Sequence, residues 1–172
     1  NLVALNERIQ GFEDEIALVT LAPELVGSLD VIQRLKSLGV VVSLGHSDAN
    51  EVTSSSAFDH GVSMLTHAFN AMNGLQHRSP GPIGEAINNG EIAIGLIADG
   101  VHVHPHIAVF LQRLASNQLV LVSDAISPYA LKDGQYKWDN RILVSKEGSC
   151  RLKNGTLAGS TVSLLNTCKN LA

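Results

Sequence analysis

His46 follows the apolar run VSLG, His67 follows SMLT, Asp99 and His102 follow GLIA, and Asp124 follows LVLVS. Each is an ionisable side chain just beyond a β-type run. Imidazoles from neighbouring strand ends suit Zn²⁺ or another borderline divalent metal, and a catalytic centre needs only three protein ligands and an open position for water. Beside such a metal, Asp124 has the chemistry of a general base for a water whose pKa the ion lowers to about 7, and then of the acid that protonates a leaving amine. Each residue also has a plainer reading. A lone strand-end histidine is commonly a hydrogen-bonded structural group, and Ser123-Asp124 before Ala125 is a reasonable capping sequence. The chemical reading rests on the constellation, not on any one member.

The elements that must position these groups are short. IALVTL (16–21), VVVSL (40–44), VSML (62–65), IAIGLI (92–97) and LVLV (119–122) read as strands alternating with amphipathic or small-residue segments. That pattern predicts parallel strands joined by crossover helices, whose C-terminal ends converge on the ligand-binding face. SLDVIQRLKSLG has Leu29, Ile32, Leu35 and Leu38 at helical spacing, with Ser28 as the expected N-cap and Gly39 as terminator. DANEVTSSSAFDHG is a weaker helix that Asp48 would cap and Gly61 would end, and PHIAVFLQRLASN starts at Pro105 with an expected apolar stripe of Ile107, Phe110, Leu111 and Leu114. A long Gly/Pro loop and a short helix fill 74–90, and long loops inside α/β domains are often functional. After Pro128, short strands separated by Glu147-Gly148 and Asn154-Gly155 turns predict a β excursion over 129–160, and a helix begins in 161–172.

Other candidates separate on position. His60, near a helix end, reads as a surface or helix-dipole partner. His102, His104 and His106 alternate in GVHVHPHI, but only His102 is adjacent to the strand end. Arg78, in the Gly/Pro loop, is either a solvated charge or an anion clamp whose planar fork matches phosphate. Composition narrows the classes: 45% hydrophobic residues describe a well-buried globular chain, and a net charge of −4 with no Lys/Arg cluster argues against nucleic acid. No run of about 18 apolar residues and no signal-peptide pattern is present. Cys150 and Cys168 lack metal spacing and disulfide density, so a reducing cytoplasm is the expected setting. The sequon at Asn154 is read as a turn. The chain starts at Asn1 and stops inside a helical pattern, so a piece of a longer protein is expected.

The motifs VTLAPE, SLGHSDA, LTHAFNAM, HRSPG, IADGVHVHP, LVSDAI and LAGS, in this order, resemble the N-acetylglucosamine-6-phosphate deacetylases of the amidohydrolase superfamily from about residue 18 to 165. GHS alone is weak, whereas THAFNAM with a later ADGVH and VSDA is highly specific. The resemblance implies an α/β fold: the C-terminal portion, about strands four to eight, of a (β/α)₈ barrel in residues 1–128, with part of a small flanking β region. It implies that His46 and His67 are metal ligands and Asp124 the catalytic acid/base. It further implies sugar-phosphate contacts from Asn70, Ala71, Arg78, Asp99, Gly100, Val101 and His102. Backbone groups of Leu157, Ala158 and Gly159 would close the substrate site. One divalent metal would be bound, Zn²⁺ first, although imidazole and carboxylate ligands also accommodate Fe²⁺, Co²⁺ and Mn²⁺. A homodimer is implied, with Arg78 reaching the neighbouring subunit's site.

One departure is plain. The family's further metal ligand is a glutamate in an HLEGP-type motif on an earlier strand, and no such motif occurs here. Glu24 belongs to a different motif, TLAPE, and does not replace it. Two rivals to a deacetylase therefore stand: another amidohydrolase acting on a cyclic amide or a different N-acyl sugar, and a noncatalytic sugar-phosphate-binding segment.

Overall fold

The structure, a computed structural model, describes residues 1–172. The chain divides into two compact units, one of residues 1–95 and 115–120 and the other of 96–114 and 121–172. No helix is long and apolar enough to cross a membrane.

The first unit is built on a five-stranded sheet in the order β1 (Leu18–Leu21), β2 (Val41–Leu44), β3 (Val62–Leu65), β4 (Ala93–Leu96) and β5 (Leu119–Leu121). Neighbours from β1 to β4 pair in parallel, so each connection must cross from the end of one strand back to the start of the next. Those crossovers are α2 (Ser28–Ser37), α3 (Glu51–His60) and α4 (Gly81–Asn89), preceded by α1 (Leu2–Ile9). Val42, Leu44, Leu65 and Ile94 on the strands and Ile32, Leu35, Ile83 and Ala86 on the helices are fully buried. Each such large side chain contributes about 1.5–3 kcal/mol of hydrophobic burial. Elsewhere in the sheet, Thr66 Oγ1 lies 3.0 Å from Thr20 Oγ1 and 2.6 Å from Ser43 Oγ, a hydroxyl chain that links β1, β2 and the end of β3.

All five expected strands form, trimmed by one or two residues at half of their ends. Two expected caps differ. Gly27, at φ 80°, caps α2 instead of Ser28, which is already helical and donates its hydroxyl to the Pro23 carbonyl at 2.5 Å. Asn50 rather than Asp48 caps α3, accepting from the Thr53 amide at 2.9 Å. α1 had no counterpart in the expected elements; Asn1 caps it by accepting from Ala4 N.

The second unit contains α5 (Pro105–Ala115, whose last residue falls in the first unit), a four-stranded sheet and α6 (Leu164–Leu171). The strands β6 (Gly134–Trp138), β7 (Arg141–Lys146), β8 (Ser149–Leu152) and β9 (Leu157–Ser160) pair antiparallel in sequence order. Glu147-Gly148 turns β7 into β8 and Asn154-Gly155 turns β8 into β9, with φ of 49°, 84° and 88° at Glu147, Gly148 and Gly155. Leu143, Cys150 and Ser160 are the fully buried side chains of this sheet. The expected stripe of α5 is corrected: Ile107, Phe110 and Leu114 are exposed, while Ala108, Leu111 and Ala115 are buried. Both sets satisfy helical spacing around Leu111.

Candidate functional site

In the first unit, the ends of β2 and β3 present His46 and His67. Both leave the strand in the left-handed region, at φ 50° and 30°, where non-glycine residues are uncommon. The turn of the backbone brings their Nε2 atoms to 2.9 Å, with the rings edge-on and their centroids 4.7 Å apart. Two imidazole nitrogens that close cannot both carry a proton toward each other, so at least one lone pair faces the shared point. Both nitrogens lie within reach of one ion whose bonds to imidazole are about 2.0–2.1 Å, and the donor type suits Zn²⁺ and its neighbours. The two histidines therefore fit a metal as part of a ligand set. Within neither unit do three or more His, Cys, Asp or Glu side chains form a set able to hold an ion.

The backbone between these histidines and the following turns is tightly specified. Gly45 sits where a Cβ would fall 2.6 Å from Thr66 Cβ, and Gly95 where one would fall 2.9 Å from the Leu65 carbonyl oxygen and 3.1 Å from His67 N. The Ala68 amide donates to the Gly95 carbonyl at 2.7 Å. Asn70 lies in the turn after β3, its side-chain amide donating to the His67 and Ala68 carbonyls at 3.3 and 3.2 Å, and Ala71 follows at φ 49°. Arg78 is exposed on the loop that precedes α4.

Glu24 has a role that its motif did not disclose. Its carboxylate accepts from the buried Ser47 hydroxyl at 2.6 Å and from the Asp48 amide at 2.8 Å. Burial alone would raise its pKa, but these hydrogen bonds outweigh that and hold it below the usual glutamate range. Ser47 N in turn donates to the Ala71 carbonyl at 2.9 Å, and Asn73 Nδ2 donates to the Asp48 and Ala49 carbonyls. Glu24, Ser47 and Asn73 thus couple the TLAPE, GHSDA and FNAMN segments. The signal was the serine next to His46; nothing in the sequence showed that Glu24 would find it.

In the second unit, Asp99, His102 and Asp124 form a row. Asp99 Oδ2 is 2.6 Å from His102 Nδ1, and Asp99 Oδ1 accepts from the Val101 and His102 amides at 2.9 and 2.8 Å. The Asp99 side chain is 0% exposed and that of His102 4%. Burial pushes the Asp99 carboxyl up, yet the hydrogen bonds from His102 and from the backbone of His102 and Val101 leave it below the ordinary aspartate value. His102 Nε2 points toward Asp124 Oδ2 at 3.9 Å, and the Asp124 side chain is 40% exposed. Gly100, at φ 80°, makes the tight turn between Asp99 and Val101 possible.

Asp124 is also left-handed, at φ 49°. Its carbonyl accepts from Ser160 N at 2.9 Å, and Ile126 N donates to Ser160 O at 3.1 Å, so the Asp124 segment is stitched to the end of β9. Leu157, Ala158 and Gly159 lie in β9, and a Cβ at Gly159 would sit 3.0 Å from the Asp124 carbonyl oxygen. His104 and His106 are exposed and serve the start of α5, where the His104 carbonyl accepts from the Ile107 and Ala108 amides. His60 Nδ1 lies 2.6 Å from the Ser56 carbonyl oxygen within α3.

No family model matches the chain. Known proteins do. An N-acetylglucosamine-6-phosphate deacetylase of Vibrio furnissii is 36% identical over 167 residues, which is 97% of this chain and 42% of that protein. An N-acetylgalactosamine-6-phosphate deacetylase of Escherichia coli O157:H7 is also 36% identical, over 99% of this chain and 45% of its own length. Among solved structures, a mutant N-acetyl-D-glucosamine-6-phosphate deacetylase of Mycobacterium smegmatis in complex with N-acetyl-D-glucosamine-6-phosphate superposes with a TM-score of 0.93 at 29% identity, over 99% of this chain and 45% of that one. The N-acetylglucosamine-6-phosphate deacetylase of Thermotoga maritima gives 0.88 at 32% identity, over 96% of this chain and 46% of that one. The chain spans less than half the length of these relatives.

Proposed function

We propose that this chain, which belongs along nearly its whole length to the N-acetylglucosamine-6-phosphate deacetylase family, is the metal-binding and acid/base portion of an enzyme that hydrolyses N-acetylglucosamine 6-phosphate to glucosamine 6-phosphate and acetate. The observation that carries the reading is the convergence of the His46 and His67 Nε2 atoms at 2.9 Å, at positions that the family's motifs reserve for metal ligands. The five-stranded sheet is read as strands four to eight of a (β/α)₈ barrel, in which catalytic groups stand at the C-terminal strand ends. The remaining strands and the further carboxylate ligand then belong to the part of the family's length that this chain does not span.

His46 and His67 would hold the ion, with Zn²⁺ first and Fe²⁺, Co²⁺ or Mn²⁺ compatible with the same donors. When bound, the ion supplies the lowered pKa of a water and the polarisation of the acetamide carbonyl. Asp124 takes the proton of the attacking water and then delivers it to the glucosamine nitrogen as the carbon–nitrogen bond breaks. Asn70, Ala71, Arg78, Gly100 to His102 in the turn held by Asp99, and Leu157 to Gly159 bind the sugar phosphate, and contacts remote from the reacting carbon position the acetamide. The subunits form a homodimer in which Arg78 serves the neighbouring site. A cytoplasmic setting accompanies this reading, with Cys150 and Cys168 as free thiols.

Equal identity to glucosamine and galactosamine enzymes leaves the C4 epimer to experiment. Acetate release by the full-length enzyme, measured on both 6-phosphates and on unphosphorylated N-acetylglucosamine, decides among the readings. We expect turnover of N-acetylglucosamine 6-phosphate, loss of activity without the phosphate, and at least about a 100-fold fall in kcat for Asp124→Asn with metal and sugar phosphate still bound. Equal turnover without phosphate would favour another amidohydrolase, and binding without acetate release a noncatalytic role. Unimpaired turnover by Asp124→Asn would remove Asp124 from the mechanism.

A further inference from the structure

The Asp99 carboxylate is wholly enclosed, and each of its oxygens is already engaged. Oδ1 receives two backbone amides and Oδ2 receives His102 Nδ1 at 2.6 Å. A buried anion in that state has no face to offer a substrate, and beside a phosphate it would repel rather than bind. An ionised carboxylate has no proton to give, so the 2.6 Å contact requires the proton to be on His102 Nδ1. The hydrogen bonds that keep Asp99 below its ordinary pKa sustain this assignment.

We propose that Asp99 is a positioning residue that acts through His102: it fixes the ring orientation and the Nδ1–H tautomer, so that Nε2 faces Asp124. This deepens the deacetylase reading and rests on it for the role of Asp124. His102 Nε2, 3.9 Å from Asp124 Oδ2, is too far for a direct hydrogen bond as it stands. The half-exposed Asp124 carboxyl closes that gap by a side-chain rotation, and once it has taken the proton from water, Nε2 is the acceptor that orients its O–H. Control of a ring tautomer by a carboxylate behind it is a general means of aiming the far nitrogen.

Asp99→Asn is the informative change. Its Oδ1 can still accept the Val101 and His102 amides, which turns the NH₂ toward His102 Nδ1 and forces the proton to Nε2. In the full-length enzyme, ¹⁵N NMR of the His102 ring should therefore show Nδ1–H in the wild type and Nε2–H in Asp99→Asn. The variant should lose about 100-fold or more in kcat with KM changed less than about threefold, as expected when a catalytic proton is held in the wrong tautomer. In a His102→Ala background the same substitution should cost no more than about twofold, because its intermediary is gone. An Nε2–H tautomer in the wild type, an unchanged tautomer in the variant, a loss confined to KM, or full additivity with His102→Ala would each overturn the proposal. The ring spectrum is read without substrate. It therefore tests the hold of Asp99 on His102 even in a protein that releases no acetate, and failure of the deacetylase reading would be separately visible.

Discussion

His46, His67, Ala71 and Asp124 share left-handed backbone, with φ between 30° and 50°. Such conformations cost of order 1–3 kcal/mol each and concentrate where a side chain must be aimed away from its strand. Beside His46 and His67, Gly45 and Gly95 are placed where any side chain would meet Thr66 or the backbone of Leu65 and His67. Gly95→Ala meets unyielding backbone and is expected to destabilise the protein by about 1–3 kcal/mol, read from chemical denaturation. Gly45→Ala, whose nearest obstacles are the Thr66 Cβ and Oγ1, should be partly relieved by Thr66→Gly, which removes both; no relief would show that the crowding lies elsewhere. At this scale the sequence was legible where chemistry chose the residue type, as at His46 and His67. It was silent on Glu24, because a carboxylate that binds a neighbouring loop has the same letter as one in solvent.

Among the elements, the strands were readable because each is a short apolar run followed within three residues by an ionisable one. The helices were readable in place more than in orientation. α5 shows why: a stripe through Ile107, Phe110 and Leu114 and one through Ala108, Leu111 and Ala115 are offset by one residue, about 100° of rotation, and share the sequence around Leu111, so only packing decides between them. The caps of α2 and α3 shifted by one or two residues because Gly27 and Asn50 supply the required backbone and oxygen. The link between elements made by Glu24 is testable. Glu24→Ala removes the acceptor of the Asp48 amide and the Ser47 hydroxyl, and should speed hydrogen exchange at Asp48 by about tenfold, the size of one lost charged hydrogen bond near solvent. Glu24→Gln, which retains an oxygen, should recover part of the protection. Unchanged exchange in Glu24→Ala would mean the segments hold together without it.

For the molecule as a whole, two carboxylates have folded pKa values below their ordinary 4.5 and 3.8, Glu24 and Asp99. Between the folded and unfolded values the unfolded chain binds more protons, so the stability these groups contribute is fully present above about pH 4.5. It declines as the pH falls through the lower, folded values. The melting temperature should therefore drop on acidification below that point, and a Glu24→Gln, Asp99→Asn double variant should show a shallower drop. An equally steep drop would assign acid sensitivity to other groups. Fold class was within reach of the sequence because alternating strands and helices permit few arrangements; the pairing of carboxylates with distant loops was not, since it depends on coordinates rather than pattern.

The left-handed strand ends also shape how this sequence can change over generations. If selection for imidazole at 46 or 67 were relaxed, the backbone would continue to filter substitutions. Asn, Asp and Gly tolerate φ of 30° to 50°, whereas Val, Ile and Thr do not. Copies that had surrendered their chemistry would accumulate Asn or Gly there before other residues, a mark by which inactive descendants of the fold could be told from active ones.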